Sequence, residues 1–156
     1  MTLTTTVTTL QQADLRGVWA IEEALAGPWS YAQIEEELAL AHGWSFVAKG
    51  SDGKVQGYLF GATVLDEAEI RKIAVHPSRR RQGIANLLLT TAWRYLASLP
   101  VIACFLELRC SNHAALSLYQ KNGFQLIGRR KNYYTLPTED AILLKKYIAG
   151  LNEKIG

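Results

Sequence analysis

The segment from Arg79 to Ala85 has the composition of an anion-binding loop. Three consecutive arginines are followed by Gln82 and Gly83, and an amphipathic helical pattern begins at about Ile84. Glycine can adopt backbone conformations that turn loop amides toward one point, and the first N–H groups of a helix have no partner within the helix. Together with the helix dipole, these groups favour a phosphate or a pyrophosphate. The same residues also fit a solvated basic turn before a surface helix.

The known nucleotide loops do not explain this segment. It follows a strand-like run, Glu69–Val75, so the order is strand, loop and helix, as a phosphate-binding loop requires. However, the sequence contains neither GxxxxGK[ST] nor GxGxxG. This argues against an NTPase and against a dinucleotide-binding Rossmann unit.

Glu107 is a carboxylate inside the most apolar predicted strand of the chain, Val101–Leu108. Burying a lone charge is costly, so the side chain needs a partner, a raised pKa or contact with a water-filled cleft. Its position shortly before a predicted helix makes Glu107 a candidate general base. Two other interpretations stay open: an ion pair with Arg109 on the same strand face, or an edge position that faces solvent.

Tyr119 and the basic run Arg129–Lys131 are weaker candidates. A tyrosine on an apolar helix face usually belongs to the core, and spacing alone does not mark Tyr119 as catalytic. The basic run is followed by Tyr133 and Tyr134. It fits either an RNA-contact patch or a solvated strand end, and the second interpretation is favoured.

Length and charge limit the classes of protein that the chain can belong to. Its 156 residues, 49% hydrophobic and 20% charged, predict a single domain spanning residues 1–156. The net charge of +3 suits an anionic ligand but is too small for a dedicated nucleic-acid binder. No apolar run approaches the roughly 20 residues of a membrane span, and Met1–Thr9 does not resemble a signal peptide. We therefore expect a cytoplasmic protein that binds neither membranes nor nucleic acid directly.

The cysteines and histidines predict no metal site. Cys104 and Cys110 would share one strand face about 20 Å apart, beyond the reach of a disulfide, and are expected to be buried thiols. The three histidines lie at positions 42, 76 and 113 and show no ligand spacing with each other or with the cysteines.

Hydrophobic patterning predicts about seven strands and four helices. The strands are Leu3–Thr9, Trp44–Lys49, Val55–Val64, Glu69–Val75, Val101–Leu108, Phe124–Tyr134 and Ala141–Tyr147. The helices run from Asp14 to about Leu25, from a Ser30 cap to about Gly43, from Ile84 to Ala97, and from a Ser111 cap to Gly123. Short connections make the early strands an antiparallel meander, and the helix at Ile84 makes a parallel crossover to the next strand. This order predicts an α/β (α+β) fold with a mixed central sheet.

The segment Arg80–Ala85 matches the R/Q-x-x-G-x-G/A loop by which GCN5-related N-acetyltransferases (GNAT) hold the pyrophosphate of acetyl-CoA, and the element order resembles their fold. Most of the chain is also similar to the bacterial ribosomal-protein-alanine N-acetyltransferase family. The matching blocks are Pro28–Ser30, Leu65–Ala68, Ile73–Pro77, Arg80–Ala85, Leu106–Arg109, Ser111–Asn112, Ala115, Leu118–Tyr119, Asn122–Phe124, Asn132–Tyr134 and Glu139–Ala141.

The resemblance implies direct acetyl transfer from acetyl-CoA to an amine in a ternary complex. It assigns the general base to Glu107 and the general acid to Tyr119. It also assigns the pyrophosphate to Arg80, Arg81, Gln82, Gly83, Ile84 and Ala85, and the pantetheine arm to Ile73, Ala74, Val75 and Asn112.

The acceptor implied by the family is the N-terminal alanine of a small-subunit ribosomal protein. The pKa of the amine is consistent with this acceptor, because an α-amino group has a pKa of about 8, against about 10.4 for lysine, and so loses its proton more readily at neutral pH. Two alternatives stay open: the same fold acting on a lysine side chain or a small amine, and a non-enzymatic module that binds RNA or an anion.

Two departures from the family pattern concern the acceptor side. Arg71 and Lys72 stand where relatives commonly carry an apolar residue and Asn, and Thr135–Thr138 is a short loop. Extra positive charge there would favour an acidic N-terminus or repel a basic one.

Overall fold

The computed structural model describes residues 4–25 and 28–148, which form one seven-stranded sheet and four helices. The predicted strand start at Leu3 and the predicted helix stop at Gly27 lie outside the described residues. The strands are β1 (Thr6–Thr9), β2 (Gly43–Lys49), β3 (Val55–Val64), β4 (Glu67–Val75), β5 (Ala103–Arg109), β6 (Gln125–Tyr134) and β7 (Glu139–Tyr147). The helices are α1 (Leu15–Glu23), α2 (Tyr31–Leu38), α3 (Ile84–Ala97) and α4 (His113–Lys121).

The sheet has the order β1-β2-β3-β4-β5-β7-β6 and is antiparallel except between β4 and β5. The predicted mixed sheet, its antiparallel meander and its central parallel crossover are therefore confirmed. The crossover runs through α3, which packs against β2, β3 and β4. It brings β5 back beside β4 in the same direction.

The pairing between β4 and β5 is short. The two strands are in register only from Glu67 opposite Ala103 to Glu69 opposite Phe105. Beyond this point β4 pairs with β3 alone, and β5 pairs with β7 alone. A bulge at Arg71 lies where the strands part, since Ile70 faces Gly61 and Lys72 faces Phe60. The sheet therefore opens between the carboxyl ends of β4 and β5.

Two apolar clusters cover the two faces of the sheet. On one face α1 and α2 pack on β2–β4, and Tyr58 and Phe60 are buried beneath them. On the other face α3 and α4 pack around buried residues of β5, including Cys104 and Leu106. Phe105 of β5 pairs with Glu69 of β4 and therefore lies on the same face of the sheet, the face that α1 and α2 cover. Because side chains alternate along a strand, Glu107 lies on this face too.

Several helix ends and caps differ from those predicted. The Ser30 cap is confirmed, with a full capping box to Gln33, but α2 ends at Leu38 and not near Gly43. The predicted Ser111 cap of α4 is wrong, because Asn112 accepts the hydrogen bond from the Ala115 N–H. The helical spacing of α1 also predicts that Trp19 faces the core together with Val18 and Ile21, but Trp19 is exposed, and its ring lies edge-to-face with the Tyr31 ring at 6.0 Å.

The packing of α3 gives a direct stability test. Leu88 is fully buried between α3 and the sheet, whereas the neighbouring Leu87 is 39% exposed. We expect Leu88→Ala to lower the free energy of unfolding by about 2–5 kcal/mol, because it leaves a cavity in the core. Leu87→Ala is the matched control and should cost less than about 1 kcal/mol. Urea unfolding measures both, and equal losses would show that α3 does not carry the core as described.

Candidate active site

The anion-binding loop predicted from the sequence lies at the N-terminus of α3. Arg81 and Gly83 both have left-handed backbone conformations, with φ of 63° and 79°, so the chain turns sharply on either side of Gln82. Gly83 is the N-cap, and it has no side chain with which to cap the free N–H groups of the first helical turn. A Cβ at Gly83 would meet no atom within 4 Å. The backbone at Gly83 therefore leaves open space beside N–H groups that have no partner within the helix, an arrangement that suits oxyanions.

The arginines of this loop are available to a ligand. Arg80, Arg81 and Gln82 are exposed, and Arg79 is half-buried at the end of a short 3₁₀ turn. In the described part of the chain, no carboxylate lies within ion-pair distance of Arg80 or Arg81. The positive charge of these two arginines is thus not neutralised by residues 4–25 and 28–148, which favours an anionic ligand such as a pyrophosphate.

Ile73, Ala74 and Val75 form the end of β4 next to this loop. They pair with Leu59, Tyr58 and Gly57 of β3 on one edge, while their other edge lies beyond the last contact with β5. The backbone groups of an unpaired edge can bind an extended chain that contains amides, as strand addition does. The opening between β4 and β5 thus leaves the edge of β4 free beside the anion-binding loop.

Asn112 is partly committed to the fold. Its side-chain oxygen accepts a hydrogen bond from the Ala115 N–H at 3.2 Å and so caps α4. Only the amide nitrogen of this side chain is left to donate a hydrogen bond to a ligand. α4 is fixed to α3 at its other end, where the Asn122 amide donates to the Asn86 side chain at 3.0 Å.

Tyr119 lies on α4, 5% exposed, within the cluster that covers the α3 face of the sheet. Its ring meets Phe124 edge-on at 5.4 Å. Burial, and to a smaller degree the Cys104 thiol, raises the pKa of the Tyr119 hydroxyl above its usual range. The phenol is therefore protonated at neutral pH and can donate a hydrogen bond or a proton.

Glu107 lies on the opposite face of the sheet from Tyr119. Its side chain is 31% exposed, and its nearest cation is Arg130, at 3.5 Å from Oε1 to Nη2. Hydrogen bonding to Glu107 raises the pKa of the Tyr133 hydroxyl. The predicted alternative of an ion pair with Arg109 is wrong. Glu107 instead has Arg130 as a partner and is partly open to solvent, on the part of this sheet face that no described helix covers.

Arg109 instead holds the loop between β6 and β7. Its guanidinium donates to the Pro137 and Thr135 carbonyls and to Glu139 at 3.0, 3.2 and 3.2 Å, and it lies 4.5 Å from the Tyr134 ring. Glu139 also accepts from the Ser111 N–H at 2.6 Å. The loop is thereby tied to the start of α4, and Tyr134 is held beside the end of β5.

Arg71 and Lys72 do not add free positive charge to the acceptor side. Arg71 forms ion pairs with Glu37 of α2 at 2.6 Å and with Glu69 at 2.8 Å. Lys72 forms an ion pair with Glu22 of α1 at 2.8 Å. Both cations are therefore neutralised within the chain.

Glu22 and Glu139 were given no role from the sequence alone. The burial of Glu22 could have been predicted, because it lies four residues after Val18 and hence on the same, buried face of α1. For Glu139 the signal was its place in the block Glu139–Ala141 that resembles the family, but its partners Arg109 and Ser111, 28 or more residues away, could not be predicted. Among the described residues, no cluster of metal-ligating side chains is found, and no helix is long and apolar enough to cross a membrane.

A basic loop at the N-terminus of α3, beside an open edge of β4, is suited to a ligand such as coenzyme A, which joins a pyrophosphate to an extended amide-containing arm. The sequence model of the acetyltransferase (GNAT) family matches residues 7–124. The chain therefore belongs to the GNAT family of acetyltransferases.

Three relatives show which members of the family the chain is similar to. The chain is 36% identical over 144 residues to the ribosomal protein bS18-alanine N-acetyltransferase of Escherichia coli K12, covering 89% of this chain and 95% of the relative. It is 32% identical over 148 residues to the N-alpha-acetyltransferase RimI of Mycobacterium tuberculosis, covering 90% and 91%. The crystal structure of the ribosomal-protein-S18-alanine N-acetyltransferase from E. coli superposes with a TM-score of 0.86 at 34% identity, over 93% of this chain and 94% of that one. The resemblance read from the sequence is confirmed.

The network around Glu139 predicts a pH-dependent stability. Hydrogen bonds from Ser111, then Arg109 and Cys110, lower the pKa of Glu139 from 4.5 to about 2. A carboxyl whose pKa is lowered by folding stabilises the fold above its unfolded pKa, and the effect is lost as the pH falls toward the folded pKa. We therefore expect Glu139→Gln to be less stable than the parent protein at pH 7, with a difference that narrows as the pH falls below about 4.5.

Denaturant unfolding at pH 7, 4 and 3 measures this difference. Glu36→Gln is the matched control, because Glu36 is an exposed carboxylate on α2 with no ion pair to a described residue. A stability difference for Glu139→Gln that stays constant with pH would contradict the assigned pKa.

Proposed function

We propose that this chain transfers the acetyl group of acetyl-CoA to the N-terminal α-amino group of a protein, most simply the N-terminal alanine of a small-subunit ribosomal protein. The observation that carries the proposal is the opening between β4 and β5, which has an unneutralised anion-binding loop at its end and Glu107 on its open face. The similarity to ribosomal-protein-alanine N-acetyltransferases supports the acceptor. Such an acceptor implies a cytoplasmic protein.

The residues present fit acetyl-CoA. Arg80, Arg81 and Gln82, with the amides of Gly83, Ile84 and Ala85, would hold its pyrophosphate, since the arginines lack carboxylate partners among the described residues and the first N–H groups of α3 have no side-chain cap. The free edge of Ile73, Ala74 and Val75 would hold the pantetheine arm, and the amide nitrogen of Asn112 could add one hydrogen bond. The bound group supplies the activated acetyl thioester.

Glu107 is proposed to accept the proton of the acceptor ammonium, directly or through a water. The side chain faces solvent, so an acceptor can approach it from outside the fold. An α-amino group with a pKa of about 8 needs only modest help at neutral pH, whereas lysine at about 10.4 would need much more. One exposed carboxylate is thus matched to an N-terminal amine.

Tyr119 is proposed to stabilise or protonate the thiolate that leaves during transfer. Its raised pKa keeps the proton on the phenol until negative charge develops on sulfur. Because Tyr119 and Glu107 lie on opposite faces of the sheet, the opening between β4 and β5 is the region where one substrate complex could contact both.

A comparison of three acceptors tests the substrate class. Release of coenzyme A is followed with a peptide that has a free N-terminal alanine, with the same peptide blocked at its N-terminus and carrying an internal lysine, and with a small polyamine. We expect turnover on the free N-terminus alone. Turnover on lysine or on the polyamine would keep the chemistry and change the acceptor, while no turnover together with tight, salt-sensitive RNA binding would overturn the enzyme assignment.

Two substitutions test the proposed roles of the side chains. Glu107→Gln and Tyr119→Phe should each lower kcat by about 10²–10⁴-fold, the usual contribution of a general base or acid, while leaving the dissociation constant of acetyl-CoA nearly unchanged. Glu69→Gln, which removes an exposed carboxylate on the same sheet face, is the control for a general loss of negative charge. If Glu107→Gln keeps full activity, the base lies elsewhere.

A further inference from the structure

Glu22 is a fully buried carboxylate with no part in the chemistry described so far. It lies in the last turn of α1 with 0% of its surface exposed. One oxygen accepts a hydrogen bond from the Tyr58 hydroxyl, and the other accepts from the Trp29 N–H at 2.9 Å and from Lys72 Nζ at 2.8 Å. A buried carboxylate is tolerated only when it is paired and hydrogen-bonded in this way.

The three partners of Glu22 come from three separate parts of the fold. Tyr58 lies on β3 in the core, and Lys72 lies on β4 just after the bulge at Arg71. Trp29 precedes the Ser30 cap of α2, and its ring lies 4.6 Å from Lys72 Nζ and 5.9 Å from Phe60. One carboxylate therefore joins the segment before α2 to the portion of β4 that has parted from β5.

Lys72 and Glu107 border the opening on the same face of the sheet. Lys72 pairs with Phe60, whose side chain is buried under α1 and α2, so Lys72 lies on that face. Glu107 lies on the same face, two residues after Phe105 in β5. The Lys72 side chain is 19% exposed and Trp29 is half-buried, so both can be reached from outside. An acceptor that brings its amine to Glu107 must pass between this side and the β6–β7 side, where Arg130 and Tyr133 lie.

We infer that Glu22 is a positioning residue for the acceptor: it fixes Trp29 and Lys72 as the wall that faces Glu107 across the opening. This inference rests on the proposed N-terminal acetyltransferase function. The anion-binding loop is separate from this wall, since none of the hydrogen bonds of Glu22 involves the loop or α3, and the β4 residues proposed to bind the pantetheine arm would do so through their backbone. Loss of Glu22 should therefore affect the acceptor and spare acetyl-CoA.

The decisive variant is Glu22→Gln, which keeps the shape of the side chain but removes its charge. With Lys72 unpaired, the wall loses its fixed position, so binding of the acceptor must first order it, and this cost appears as a higher KM. We expect kcat/KM for the alanine peptide to fall about tenfold or more, mainly through KM, while the dissociation constant of acetyl-CoA changes less than about twofold. The matched control is Glu23→Gln, which removes an exposed carboxylate one residue further along α1 and should behave as the parent protein.

A second variant keeps the inference testable if Glu22→Gln does not fold. Lys72→Met removes the cation from a side chain that is partly exposed, and it should raise the KM for the peptide in the same direction. In the double variant Glu22→Gln with Lys72→Met, the loss should be smaller than the product of the two single losses, because both act through one ion pair. Thermal unfolding is measured alongside, to show that each variant compared is folded.

The possible outcomes separate this inference from the proposed function. A parent protein without activity on any N-terminal peptide would overturn the proposed function itself. An active parent protein whose folded Glu22→Gln and Lys72→Met variants keep the parent KM for peptide would overturn the positioning role alone. An equal loss of peptide and acetyl-CoA binding would also overturn it, because that result would show a general structural effect.

Discussion

The parting of β4 and β5 is the constraint on which the site depends. Up to Glu69 the hydrogen-bonding groups of β4 have strand partners on both sides, and beyond it they have partners only in β3. Backbone groups that lose a partner must be satisfied by water or by a ligand. The bulge at Arg71 lies where β4 parts from β5, and the other edge of β5 is paired with β7. Beyond Glu69, the edges of β4 and β5 that face each other therefore have no strand partner among the described residues. An extended amide-containing molecule is the natural complement of such an edge.

The charges around this opening are divided between its two ends. At the α3 end, Arg80 and Arg81 have no carboxylate partner within residues 4–25 and 28–148. On the acceptor side, Arg71, Lys72 and Arg109 are each paired with a carboxylate of the chain. Of these five cations, Arg80 and Arg81 are the two without a carboxylate partner among the described residues, and they favour an anion at the α3 end. Selection of the acceptor must then rest more on shape and hydrogen bonding than on net charge, which removes the sequence-based reason to expect an acidic N-terminus.

Much of this fold could be predicted from local sequence patterns. The bounds of β3 and α3 are confirmed as predicted, because β-branched runs and helical spacing there end at clear turn residues. The capping box at Ser30 is confirmed for the same reason, since its signal lies within four residues. The cap of α4 was predicted one residue too early, because Ser111 and Asn112 are neighbours and both are favoured N-cap residues. The bulge at Arg71 and the ion pair between Lys72 and Glu22 could not be predicted, because tertiary contacts decide them. The last of these joins residues 50 positions apart.

The placement of Glu107 and Tyr119 on opposite faces would separate the two proton transfers of the proposed acetylation. Glu107 faces solvent, so a proton taken from an amine can be returned to water before the next turnover. Tyr119 is buried, and its raised pKa makes a full transfer of its proton to a thiolate, whose ordinary pKa is about 8.5, unfavourable. A hydrogen bond to the developing charge avoids forming a buried phenolate. The geometry thus favours Tyr119 as a donor that stabilises sulfur, with Glu107 as the group that exchanges protons with solvent.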